Sequence, residues 1–182
     1  MNLKFAVALL AGLLAFAPRS YATTTTTTLP NSCDNPTVIT GNTYSGTGST
    51  ATGTGALVGR CAGGSAKEHV YTYTPDTTGV ATFSTCPVET TTNFDTVVYL
   101  RTTCDDVSTE LACNDDGQNL AYDPTSAACN TSGGAPVASR LSVPVTADQE
   151  YFLIVDGYGK YHGNYSLSVT FVTTTTTTTT LP

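Results

Sequence analysis

A chain of 182 residues has room for one domain of ordinary size, and a net charge of −7 leaves no basic surface for nucleic acid or an anionic membrane. Only 12% of residues are charged and two are histidine, so imidazole-based metal or nucleophile chemistry has few residues to draw on. An acidic balance of this kind suits solubility, a bound cation or a basic partner.

The chain begins as a secretory leader. Lys4 supplies a positive start, Phe5 to Phe16 is an apolar run too short to span a bilayer, and Ser20-Tyr21-Ala22 is a small-x-small cleavage site. Residues 1–22 are therefore expected to be removed, which places the rest outside the cytoplasm, secreted or at the cell surface. Without Lys4 and Arg19, five basic residues face fourteen acidic ones, a net of −9. No other segment is long and apolar enough to suggest a membrane span.

Residues 23–30 read TTTTTTLP, and 175–182 repeat the same eight letters. Threonine runs beside proline cannot bury a core and read as extended stalks. The arrangement is linker, module, linker, with 173–182 as the second linker, and it suggests a unit copied from a longer array. Slippage in a threonine repeat explains the threonines as well, though less readily the repeated Leu-Pro.

Between the linkers, residues 31–172 form the domain. Val38-Ile39-Thr40 and Asn42-Thr43-Tyr44 suggest a first strand or pair broken at Gly41, and Ser45 to Gly64 reads as a loop too glycine-rich for a strand. Its GTGALVG lacks the lysine and the strand–turn–helix setting of a phosphate-binding loop. His69 to Thr74 alternates as a strand and stops at Pro75-Asp76; Gly79 to Thr85 is the next, ending at Cys86-Pro87.

Thr96 to Arg101, rich in β-branched and aromatic residues, is the clearest strand. The polar turn Cys104 to Ser108 returns it as Thr109 to Cys113, so the hairpin brings Asp95 and Asn114-Asp115-Asp116 to one end. Gly117 to Pro136 is a polar loop holding Cys129. Arg140 to Val145 puts Leu141, Val143 and Val145 on one face, with Pro144 marking an edge. Tyr151 to Val155, apolar throughout, suits a strand buried on both faces, and Ser166 to Phe171 points Leu167, Val169 and Phe171 inward. Seven to eight short strands with regular turns and no amphipathic helix make an all-β antiparallel sandwich or jelly roll.

Cys33, Cys61, Cys86, Cys104, Cys113 and Cys129, an even number behind a secretory leader, read as three disulfides; no C-x-x-C pair supports zinc or iron–sulfur ligation. Sequential pairing (33–61, 86–104, 113–129) closes short loops, although the hairpin strains against 86–104.

The succession VYTYTP, GVATFSTC, FDTVVYLRTTC, ELACNDD, SRLSVPV, EYFLIVDGY and GNYSLSV, from Cys33 to Phe171, resembles the bacterial pre-peptidase C-terminal domain in its cysteine-containing variety. The resemblance implies a jelly-roll-like sandwich that is itself non-catalytic and that binds matrix polymers in some members. Members accompany secreted enzymes; no peptidase stands before the domain in this sequence, which fits a stand-alone or repeated surface module better than a protease accessory.

The residues offer no catalytic constellation. G-x-S-x-G and H-E-x-x-H are absent, His69 and His162 lack partners at recognisable spacing, and in Phe94-Asp95-Thr96 the glycine of an aspartic-protease loop is replaced by Val97. Tyr158, Tyr161 and Tyr165 cluster at a glycine-rich turn, where aromatics either stack on sugars or peptides or cap the sandwich. Asn130-Thr131-Ser132 and Asn164-Tyr165-Ser166 fit the N-glycosylation pattern.

Asp95, Asp115 and Asp116, with Asn114 and Asp156 nearby, invite two accounts. Crowded carboxylates can share a calcium ion, which takes several oxygens in flexible geometry. Alternatively Asp95 and Asp115 accept turn N–H groups while Asp116 faces water. No other cofactor is expected. The function expected is a non-catalytic module that binds or adheres to an extracellular polysaccharide, matrix protein or cell-surface component; the alternative is a structural spacer or repeat unit of a larger surface protein.

Overall fold

The alternating and β-branched stretches become nine strands in a computed structural model that describes residues 31–86, 91–117, 129–130, 133–135 and 137–174. They are β1 Thr37–Ile39, β2 Tyr44–Ser49, β3 His69–Tyr73, β4 Gly79–Ser84, β5 Thr96–Arg101, β6 Glu110–Asp115, β7 Arg140–Val145, β8 Tyr151–Gly157 and β9 Asn164–Thr173. One sheet runs β1-β3-β8-β5-β6 and the other β2-β9-β4-β7. All pairings are antiparallel except the short β1–β3 pair, where Thr37 stands opposite Tyr71. The leader, residues 23–30 and residues 175–182 lie outside the described residues, as does most of the 117–136 loop; Thr173, counted above with the linker, pairs with Gly79 as the end of β9.

Inward side chains of both sheets form the main core, with Tyr71, Tyr73, Val98, Leu100 and Leu153 from one and Phe83, Leu141, Val143, Leu167 and Val169 from the other. Burying each large apolar side chain contributes roughly 1.5–3 kcal/mol, so this layer sets the fold. A second cluster lies on the outer face of the five-stranded sheet, where Val70, Val97, Tyr99 and Ile154 are covered by Leu57, Cys104 and neighbours of Cys61. This third layer explains why β5 and β8 are apolar at consecutive positions: both of their faces are dry.

Two expectations fail, for physical reasons. The stretch read as a glycine-rich loop contains β2, because its glycines alternate toward the core under tyrosines. A Cβ at Gly48 would run into the ring and hydroxyl of Tyr165, and one at Gly46 into Tyr44. Sequential disulfide pairing is also overturned: the bonds are Cys33–Cys104, Cys61–Cys113 and Cys86–Cys129, with Cα separations of 5.7, 5.8 and 5.3 Å. Cys86 lies beside Ser139, near the start of β5, whereas Cys104 follows its far end. A six-residue strand keeps them roughly 20 Å apart. The first two bonds instead fasten the covering layer to the sheet.

Arg101 is the largest fully buried side chain, and it locks the hairpin tip. Its guanidinium donates to Val58 O at 2.7 Å, Cys104 O at 3.1 Å and Glu110 Oε2 at 3.1 Å, and lies 4.7 Å from the centre of the Tyr99 ring. Glu110 Oε1 in turn accepts the Arg60 N–H, while Glu68 takes the Thr54 hydroxyl and the Gly55 N–H. Buried carboxylates thus hold the covering loop by its backbone.

Candidate functional site

The hairpin delivers its acidic residues to one end, as its register requires. Val97 pairs with Asp115, so β6 ends beside the residue that precedes β5, Asp95. Asp116 and Gly117 both turn left-handed, at φ 70° and 64°, and Asn114 Oδ1 accepts the Gly117 N–H at 2.8 Å. This folds Asp116 back toward Asp95 and Asp115. One carboxylate oxygen from each of the three lies within 4.8 Å of the others.

Two carboxylate oxygens of this group lack a partner among the described residues. Asp95 Oδ1 and Asp115 Oδ1 are buried without a hydrogen bond among the described residues. Burial raises the Asp115 carboxyl to about 6, with Asp116 and Asp95 adding repulsion; burial and Asp116 also raise Asp95. The account in which turn N–H groups satisfy these carboxylates covers only part of the geometry. The Gly117 N–H goes to Asn114, and the Asp95 main-chain carbonyl, not its side chain, receives Tyr158 N–H. What remains is an anionic cup that favours a shared proton or a cation with oxygen ligands.

Asp95 also lines a cleft of about 440 Å³, with Asn93, Phe94, Val137, Tyr161 and His162. Tyr161 is 53% exposed, in a turn closed by its N–H to Tyr158 O. Tyr158 is partly exposed, and its ring packs where a Cβ on Gly63 would stand. Tyr165 departs from the expected surface trio: it is 0% exposed, because β9 has already begun and turns its ring into the core. Asp156 is not in the cup either. It is buried on the outer face with Val97 between it and Asp115, accepting Tyr99 O–H at 3.2 Å and Gly157 N–H at 2.7 Å. Burial pushes its carboxyl up to about 7. Sequence reasoning missed Asn93 and the proximity of His162 to Asp95; their positions flanking Asp95 and Tyr161 were the available signal.

For acyl or phosphoryl transfer the described residues assemble nothing usable. His69 is buried on Thr37 and Tyr165, and the ring of exposed His162 contacts the Lys160 carbonyl. A second groove, about 400 Å³, opens at the hairpin tip between Leu57, Val58, Arg60, Asp105 and Val107. Arg60 there donates to the Val107 and Ser108 carbonyls.

No protein-family model matches the chain. Nor does any curated protein. Among solved structures, the chain is similar to the pre-peptidase C-terminal domain of a collagenase from Bacillus anthracis, with 19% identity and a TM-score of 0.43, over 74% of this chain and 94% of that one.

Proposed function

We propose that the chain is a secreted, non-catalytic binding module whose ligand face is the end of the sandwich carrying Asp95, Asp115 and Asp116. The observation that carries this reading is the convergence of three carboxylates, two with buried oxygens unpartnered among the described residues, beside an open cleft with an exposed tyrosine. Calcium fits the oxygen-only donor set, and Tyr161, with Tyr158 near it, supplies an aromatic surface for an extracellular polysaccharide or a matrix protein. The leader-like start and the three disulfides support an extracellular setting.

The test is a thermal melt of metal-free protein with and without calcium, followed by glycan and matrix-polymer arrays. At a hundredfold excess over Kd, linkage requires about 2.7 kcal/mol of stabilisation. That gain should vanish in Asp115→Asn, and array binding should weaken in Tyr161→Ala with the fold intact. An unchanged melt at millimolar calcium removes the cation, and no retained ligand on either array removes the binding reading. The spacer alternative, favoured by the identical TTTTTTLP segments on both sides, would then stand.

A further inference from the structure

A run of hydrogen bonds crosses the sandwich from Tyr71 to Asn31, and its direction is determined at every step. The Thr37 hydroxyl donates to Asn31 Oδ1 at 2.9 Å, so its oxygen must accept from His69 Nε2, also at 2.9 Å. Nε2 therefore carries the imidazole proton, and Nδ1 is an acceptor. Tyr165 O–H must donate to Nδ1 at 2.7 Å, which leaves the Tyr165 oxygen to accept the Tyr71 hydroxyl at 2.8 Å. The neutral ring is satisfied on both sides, and one arrangement of protons serves all five residues.

The run links three strands and the entry segment. His69 and Tyr71 belong to β3, Tyr165 to β9, and Thr37 begins β1. Asn31 accepts the Val70 N–H through its main-chain carbonyl as well. β1 has only three residues, paired to β3 alone, so these side-chain bonds are a large share of what holds it.

A proton on Nδ1 would break the sequence. Tyr165 would have to turn its hydroxyl back toward Tyr71, whose own proton must then find a new acceptor. The charge would also sit in a nearly dry site: His69 is 6% exposed and stacks on Tyr71 at 4.2 Å. Among the described residues the ring meets the stacked ring of Tyr71 and the hydroxyls of Tyr165 and Thr37, with Tyr44 of β2 beside Tyr71 and Val155 of β8 opposite. Glu68, next in the chain, spends both oxygens on Thr54 and Gly55. Among the described residues no carboxylate hydrogen-bonds to the ring to stabilise an imidazolium.

We propose that this hydrogen-bond run is an acid-sensitive latch: it fixes β1 and Asn31 to the sandwich while His69 is neutral and releases them when the ring takes a proton. Opening is local, because Cys33–Cys104 keeps the segment tethered beside the sheet. Release would uncover the edge of β3. The latch does not depend on the ligand reading, and it converts acidity into a change at the end of the chain nearest the leader.

The experiment is nitrogen-detected NMR of the labelled, disulfide-intact secreted chain, with exposed His162 assigned in the same spectra as the internal comparison. His69 should be the Nε2–H tautomer at neutral pH and should titrate near 4, where burial holds it. Hydrogen-exchange protection of the Val70 amide and of β1 should fall through that midpoint while protection in β8 persists. Tyr165→Phe, which removes the donor to Nδ1 and little volume, should raise the midpoint by about one unit. An Nδ1–H tautomer, titration at the ordinary imidazole value, or unchanged β1 protection would each overturn the latch. If the Phe variant does not fold, tautomer and protection in the native chain still decide.

Discussion

Replacing Arg101 by Met removes a cation and leaves its surroundings in place, so it measures how the hairpin tip is held. The side chains of Arg101 and Glu110 are each 1% exposed and meet at 3.1 Å. After the change, Glu110 Oε1 still holds the Arg60 N–H, but Oε2 is a buried charge without a counter-ion. The carbonyls of Val58 and Cys104 lose a charged donor too. Breaking a buried ion pair from one side typically costs 3–5 kcal/mol, so about 4 kcal/mol is expected here. For a domain of this size that lowers Tm by roughly 10–15 °C. Arg101→Met/Glu110→Gln removes the stranded charge while keeping an acceptor for Arg60, and should recover about 2 kcal/mol of the loss. Urea denaturation with the disulfides intact gives both numbers. A single variant within 1 kcal/mol of the parent, or a double variant no more stable than the single, would refute the idea that this pair pins the covering loop to the sheet.

Gly48→Ala should cost roughly 1–3 kcal/mol by overpacking, because its Cβ meets the fully buried Tyr165 ring and lies 2.9 Å from the Tyr71 hydroxyl; a urea midpoint equal to the parent's would show that β2 can shift. Removing Cys33–Cys104 with a pair of alanines opens a loop of 71 residues and should cost about 4 kcal/mol in the chain-entropy treatment, read from the same denaturation curves. Asp156 has its folded pKa raised to about 7, above the ordinary carboxylate value, so its contribution is present at low pH and lost as pH rises from about 4 to 7. Asp156→Asn can keep both the Tyr99 and Gly157 bonds, and should therefore match the parent near pH 3 and exceed it by roughly 4 kcal/mol at pH 8. Equal stability of the two at pH 8 would mean that the buried carboxylate costs nothing.

The strands were legible where a period of two, or an unbroken apolar run, met a turn. β3, β5, β7, β8 and β9 all carry that signal, and Pro144 does mark β7 as the edge of its sheet. β2 was illegible because glycines hold two of its inward positions: the room at Gly46 is filled by Tyr44 of the same strand, and that at Gly48 by Tyr71 of β3 and Tyr165 of β9, more than twenty residues away along the chain. The disulfides were hidden for the same reason: Cys61 meets Cys113 only because a loop folds over the outer face, a contact with no local trace. Tyr165 looked exposed beside Gly163 and Asn164, but strand pairing begins at Asn164 and alternation then turns Tyr165 inward. The acidic cup was legible, since hairpin register alone brings Asp95 to Asp115; the partnerless oxygens were not, since they depend on what fails to reach them.

The covering layer bears on where a ligand can go. Both faces of the five-stranded sheet are occupied, one by the second sheet and the other by the loop that carries Leu57 and Cys61. A partner binding to either face would have to displace a layer fixed by disulfides and by Glu68 and Glu110, which costs several kcal/mol for each buried charge left unpaired. The strand ends carry no such penalty. At the end opposite the acidic cup, Asp148 N–H closes onto Pro75 O, drawing the two loops together. At the near end Asp95, Asp115, Asp116 and Tyr161 stand partly exposed, and none of them belongs to either core cluster. Substitutions in the cup or at Tyr161 should therefore change binding with little effect on folding, whereas those at Arg101 or Gly48 should do the reverse.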